Sequence, residues 1–227
     1  MAKFGHLLKS GLVEALFPSI CPVCRSVRVQ ESLLCNPCQK KMIFLPRFML
    51  QKIQDEVQDQ EDSPLFVQFL FNPTLQKILH LLKYQNMKKI GIFLGEEIGK
   101  QMLAEKITDM DGIIPVPIHR TRERERGYNQ SILIAQGISS VLQIPLYGRT
   151  MIRNRYTRSQ TKLSKEERQQ NVRDSFQVGC PDEVRGKSIV LVDDVITTGA
   201  TINACAVELK VNGSGLILKT AVATPTF

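Results

Sequence analysis

Residues 189–192 read Ile-Val-Leu-Val, an unbroken β-branched and apolar run of the kind found in a strand covered on both faces. The run ends at Asp193 and Asp194. After Val195 and Ile196 come Thr197, Thr198, Gly199, Ala200 and Thr201, and from 202 to 210 apolar positions recur at helical spacing, at Ile202, Ala206 and Leu209. Strand, loop and helix in this order constrain the chain more than any other stretch. A doubly covered strand that feeds a helix belongs to a parallel sheet with crossover helices.

The residue types in the loop define a chemistry. Free backbone N–H groups and three hydroxyls at the positive end of a helix suit an oxyanion such as a phosphate, and Gly199 lets the backbone approach it closely. The two carboxylates just upstream would repel that phosphate, so they face hydroxyl donors or a divalent cation. A sugar phosphate with a diol in the middle and a metal-bound pyrophosphate at its other end meets all three demands.

Residues 190–201, VLVDDVITTGAT, resemble the phosphoribosyl pyrophosphate (PRPP) motif of type I phosphoribosyltransferases. The resemblance implies that Asp193 and Asp194 hold the ribose hydroxyls and are the catalytic pair if a transfer occurs. It also implies that the 5-phosphate lies on the segment from Val195 through Thr197, Thr198, Gly199 and Ala200 to Thr201. Mg²⁺ would come with the pyrophosphate. The same motif occurs in PRPP synthetases and in PRPP binders that catalyse nothing, so it names a ligand and leaves the reaction open.

A second feature divides the chain. Cys21, Cys24, Cys35 and Cys38 form two C-x-x-C knuckles ten residues apart, a pattern that brings four thiolates to the corners of a tetrahedron around a structural zinc. With every position filled by sulfur, such a zinc has no open site and is not catalytic. A module this small has too little core to fold alone, so the metal supplies folding free energy. Disulfides or a redox C-x-x-C are the alternatives. Cys180, in a loop, and Cys205, inside a helical pattern, read as structural.

The 227 residues, 43% of them hydrophobic, suffice for one α/β domain with a little to spare. No apolar run reaches the 18 residues of a membrane span, and the stretch 7–20 is interrupted by Lys9, Glu14 and Pro18, so neither membrane insertion nor a secretory signal is expected and the location is read as cytoplasmic. The resulting division is a four-cysteine module over 1–50, an acidic linker or exposed helix over 51–64, and an α/β domain over 65–227. Within that domain the pattern predicts a strand at 65–71, a helix from Pro73 to about Tyr84, an amphipathic helix at 90–107, a short strand at 111–117 ended by two prolines, a helix at 129–142 and a last strand at 216–223. The alternation predicts a mostly parallel sheet with right-handed crossovers.

Charge is concentrated. Between His119 and Arg173 stand twelve Lys plus Arg against four Glu, a surplus of eight that equals the +8 of the whole chain. It lies in two segments, HRTRERERGYNQ (119–130) and RTMIRNRYTRSQTKLSKEERQQNVR (149–173). In a doubly wound sheet the loop after the 113–116 strand lies at the same carboxyl edge as the loop after Val192, so both face one crevice. The three histidines are too dispersed to nominate a base.

These two segments in order, followed by the PRPP motif and preceded by the four-cysteine knuckle, resemble the ComF family, specifically the ComFC-type competence proteins of naturally transformable bacteria. The resemblance covers nearly the whole chain. It implies a type I phosphoribosyltransferase fold with an N-terminal zinc module, acting on imported single-stranded DNA in the cytoplasm. Arg122, Arg126 and Gly127 would form the pyrophosphate loop, and residues 149–160, with Arg153 and Arg155, a flexible loop that closes over the ligand. Arg155, Tyr156, Arg158 and Lys162 would contact single-stranded DNA, with Tyr128 a further stacking candidate. A DNA-translocation helicase or inner-membrane channel is the expected partner, allowing a peripheral place at that membrane. Two functions stay open, a PRPP-gated DNA-handling scaffold and an active phosphoribosyltransferase with an unidentified acceptor. A third makes the zinc knuckle an adaptor to which PRPP is incidental.

Overall fold

Four parallel strands build the main sheet of the computed structural model, which describes residues 19–28, 32–57, 63–154 and 175–225. In chain order the elements are α1 (Asn36–Lys40), α2 (Arg47–Glu56), β1 (Leu65–Leu70), α3 (Pro73–Tyr84), α4 (Lys88–Ala104), β2 (Gly112–Pro115), α5 (Arg120–Arg126), α6 (Gln130–Leu142), β3 (Met151–Arg153), β4 (Phe176–Val178), β5 (Ile189–Val195), α7 (Ala200–Val211) and β6 (Ile217–Thr224). The sheet order is β1-β6-β5-β2. Pro115 is tolerated because β2 is the last of the four strands and the short bridge on its far side, to Leu146, is made by Ile113 and not by Pro115.

The continuous apolar character of β5 follows from burial on both faces. Val190 and Val192 pack with α3, α4 and α6, whereas Ile189 and Leu191 pack with α2, α7 and the β3–β4 ribbon. β5 runs three residues beyond the apolar run, to Val195, because Asp193 and Val195 still pair with Ala221 and Ala223 of β6. The acid pair, expected where the strand gives way to the loop, therefore sits inside the end of the ladder.

Other boundaries move for local reasons. Asn72 caps α3 by accepting from the Leu75 N–H, with Pro73 in the first turn. α4 starts at Lys88 and stops at Ala104, short of Ile107, since Lys106 takes a left-handed backbone (φ 59°). Its buried face is a stripe of Gly91, Gly95 and Gly99 beside α6, closer to a backbone contact than to an ordinary amphipathic packing. The polar stretch after residue 50 is helical at its start, because α2 runs from Arg47 through Glu56 across that position.

The cysteine module packs directly on the domain. Leu45 N–H donates to the Gln68 carbonyl, Leu70 N–H donates to the Ile43 carbonyl, and the Phe44 and Phe69 rings lie 5.2 Å apart. Cys21, Val23, Leu34, Cys38 and Met42 share one apolar core with Phe66 and Phe69 of β1 and with α3. Among the described residues no helix is long and apolar enough to cross a membrane.

Candidate functional site

Parallel pairing of β2 with β5 puts their carboxyl ends side by side, and the candidate site forms there. Asp193 Oδ1 accepts from the Asp194 N–H at 2.8 Å and from Ser131 Oγ at 3.2 Å. Ser131 stands in the first turn of α6, where Asn129 caps the helix and donates to the Val116 carbonyl, so the β2 loop, α6 and β5 are locked together. Asp194 Oδ1 accepts from the Val195 N–H at 3.0 Å. Its Oδ2 is buried and paired with Lys83 Nζ. Paired carboxylates at a strand end fit sugar hydroxyls.

Burial, and next the adjacent Asp194 carboxylate, push Asp193 up from its ordinary 3.8 to about 8. A folded-state value above the unfolded one means that the folded protein binds the extra proton between those limits, so this group makes stability fall as pH rises from about 4 to about 8. Asp193→Asn keeps the oxygen that accepts from Ser131 and Asp194 while removing the charge. The variant should therefore melt about 3 °C above the parent at pH 8.5, corresponding to ~1 kcal/mol, and the two should converge toward pH 4. Melting curves over pH 4–9 test this; identical pH profiles would refute it.

The threonine-glycine loop leaves β5 and enters α7, a 12-residue helix whose N-cap is Gly199 at φ 74°. Thr197, Thr198 and Ala200 are exposed, Thr201 is half-buried and Gly199 is buried. Backbone N–H groups at the start of such a helix are free for an anion.

The expected pyrophosphate loop is a helix. Arg122 and Arg126 lie four apart on α5, and Gly127 ends it in the left-handed conformation (φ 78°) with its N–H on the Glu123 carbonyl. Both arginines line a cleft of about 550 Å³ together with Lys83, Tyr84, Asn86 and Glu125. Arg126 also donates to Gln130 Oε1 at 3.1 Å and sits over the Tyr84 ring at 5.4 Å. Lys83 was not legible from periodicity, which marks it only as the polar last turn of α3. It reaches Asp194 because the sheet order brings the end of α3 to the end of β5.

The segment 149–160 is not wholly a loop, since Met151–Arg153 pairs with Phe176–Val178 as an antiparallel ribbon. Arg153 packs its guanidinium over the Phe176 ring at 5.1 Å, and burial lowers it from its ordinary value. Arg155, Tyr156, Arg158 and Lys162 lie outside the described residues. Tyr128 is no stacking platform: it is 9% exposed and donates its hydroxyl to the Leu82 carbonyl.

The four knuckle sulfurs lie within 4.8 Å of one another, with Cys24 and Cys35 Sγ 3.5 Å apart. A tetrahedral zinc with Zn–S bonds of about 2.3 Å sets sulfurs ~3.8 Å apart, so the four cysteines fit a structural zinc with no open position. Cys180 is exposed and Cys205 is buried in α7.

Comparison with known proteins agrees with this geometry. Residues 12–49 match the double zinc ribbon domain family and residues 129–224 match the phosphoribosyl transferase domain family. The DNA utilization protein YhgH of Salmonella typhimurium is 30% identical over 203 residues, covering 88% of this chain and 81% of its own. Competence protein F of Haemophilus influenzae is 29% identical over 207 residues, covering 84% and 90%. An amidophosphoribosyltransferase of Staphylococcus aureus is 31% identical over 130 residues, 57% of this chain and 24% of its own. The α/β domain thus has the type I phosphoribosyltransferase fold, with a zinc ribbon ahead of it. With the ribbon, the transferase domain and similarity over most of both chains in place, this protein belongs to the ComF family, that of Competence protein F and DNA utilization protein YhgH.

Proposed function

We propose that this protein binds PRPP with Mg²⁺ at the carboxyl edge of β5 and β2, and works in the cytoplasm on single-stranded DNA taken up in natural transformation. One observation carries the ligand: three unlike demands meet at one edge. The acid pair offers carboxylate oxygens to hydroxyls, the half-buried Asp193 foremost, the loop from Thr197 to Thr201 offers N–H groups to a phosphate, and Lys83, Arg122 and Arg126 line a cleft for a diphosphate. When bound with the ligand, Mg²⁺ supplies positive charge that relieves repulsion between the diphosphate and Asp193 and Asp194. Lys83 already neutralises part of the acid pair, and Ser131 holds Asp193 in place. The DNA role is supported by the names of the relatives, a competence protein and a DNA utilization protein. Basic residues from 149 to 173, Arg155, Arg158 and Lys162 among them, supply the charge for it. A helicase or membrane channel is the natural partner for such a protein.

A second reading, transfer of the phosphoribosyl group to an acceptor, is favoured by the size of the cleft, which exceeds what a diphosphate fills. In that case the protein would act by orientation and electrostatics on a departing pyrophosphate. Calorimetric titration with Mg²⁺ and PRPP tests the shared ligand. The parent is expected to bind and the Asp193→Asn/Asp194→Asn variant to bind at least about 100-fold more weakly, the loss of two charge-assisted hydroxyl contacts. No binding by the parent would overturn the proposal.

A further inference from the structure

The end of α2 is seated on the threonine-glycine loop. A Cβ at Gly199 would stand 2.3 Å from Val57 Cγ1, so the loop glycine is also the floor on which Val57 packs. Asn203, one turn into α7, donates from Nδ2 to the Val57 carbonyl at 2.7 Å. Its own N–H returns to the Gly199 carbonyl at 2.9 Å, and its Oδ1 accepts from Lys219 Nζ at 3.2 Å. Lys219 is fully buried in β6. A cation, an amide and the carbonyl end of a helix are thus joined in line, the polarity that a helix C-terminus favours. At its other end α2 follows, after Pro46, directly from the 43–45 segment that ties the cysteine module to β1.

α2 therefore spans from the zinc module to the loop as one rigid element of ten residues, about 15 Å long. Ile53 and Val57 are buried in the same core as Ile196 and Ile202, the residues that flank the loop. We infer that α2 couples the zinc module to the ligand loop, with Asn203 as the positioning residue that holds the junction. The inference rests on reading the loop as the phosphate site. Its consequence is reciprocal at equilibrium: ligand on the loop tightens zinc binding, and zinc tightens the ligand, by the same factor; tighter zinc shows as slower release.

The test has one arm that needs no ligand. Zinc release from the native full-length protein to a chromogenic chelator is followed for the parent, Asn203→Ala, Val57→Ala and, as a control for general destabilisation, Ile138→Val in α6. Asn203→Ala and Val57→Ala should each release zinc several-fold faster, and Ile138→Val at the parental rate once melting temperatures are matched. Equal rates in all four would overturn the coupling whether or not PRPP binds. In the second arm, saturating Mg²⁺ and PRPP should slow release from the parent about 5-fold or more and have less effect in Asn203→Ala. Calorimetric binding of PRPP that leaves zinc release unchanged would sink the coupling and spare the ligand assignment. Absence of binding would sink the assignment, with the first arm still deciding the coupling.

Discussion

Gly137→Ala is expected to lower the melting temperature by roughly 6–12 °C, about 3 kcal/mol, or to prevent folding altogether. A Cβ at Gly137 would stand 2.1 Å from the Ile92 carbonyl, and one at Gly95 would stand 1.9 Å from the Ile134 carbonyl. In each case the obstacle is backbone of the opposing helix, which no rotamer change relieves. α4 and α6 would have to separate, and each contributes fully buried side chains, Ile90, Leu94 and Ile98 facing Ile134 and Ile138. Losing that contact opens the face of the sheet on which the acid pair is braced through Ser131. Gly148→Ala serves as the comparison, since nothing lies within 4 Å of its Cβ position and its stability should change by less than about 0.5 kcal/mol. Urea or thermal denaturation reads both; if the two variants melted alike, the close helix contact would be wrong.

Removal of zinc should have an effect that extends beyond the cysteine module. Cys21→Ser or Cys38→Ser is expected to abolish stoichiometric zinc in elemental analysis and to lower the melting temperature of the entire protein by about 10 °C or more. Structural zinc contributes on the order of 10 kcal/mol to the folding of an isolated small module, and only part of it needs to reach the domain. It reaches the domain because Cys21, Val23, Leu34, Cys38 and Met42 lie in one core with Phe66, Phe69, Leu75 and Leu79. The 43–45 segment also adds its hydrogen bonds to the outer edge of β1. Circular dichroism before and after exhaustive chelation gives the answer. A zinc-free protein that melted at the parental temperature would show the ribbon to be an independent appendage.

How legible the site was depends on the range of each interaction. Asp193, Asp194 and the run from Thr197 to Thr201 could be read from twelve consecutive residues, because a strand end, an anion-binding loop and a helix start are all local events. The cysteine ligands were legible for the same reason, as spacing within two knuckles. Arg122 and Arg126 were singled out as charge but misread in form. The segment has a helical i, i+4 pair and a glycine stop, which make it a helix where the resemblance implies a loop. Tyr128 is a packing residue, the reading a lone tyrosine favours, and its hydroxyl satisfies a carbonyl of α3 that periodicity does not point to. The glycines at 91, 95 and 99 were a signal in plain view, every fourth residue of one helix, whose meaning needs the facing Gly137.

By itself the sequence determined the β–loop–α unit, the chemistry of its acid pair and threonines, the tetrahedral cysteine set and the alternation that makes the sheet parallel. All of these follow from periodicity and from residue types a few positions apart. The tertiary structure alone decided that Lys83 meets Asp194 across 110 intervening positions, that Ser131 holds Asp193, that the zinc module shares the domain's core, and that Val57 rests on Gly199. Those contacts depend on the order β1-β6-β5-β2, which brings distant segments to one edge, and strand order is set by which buried faces fit together and not by any local preference.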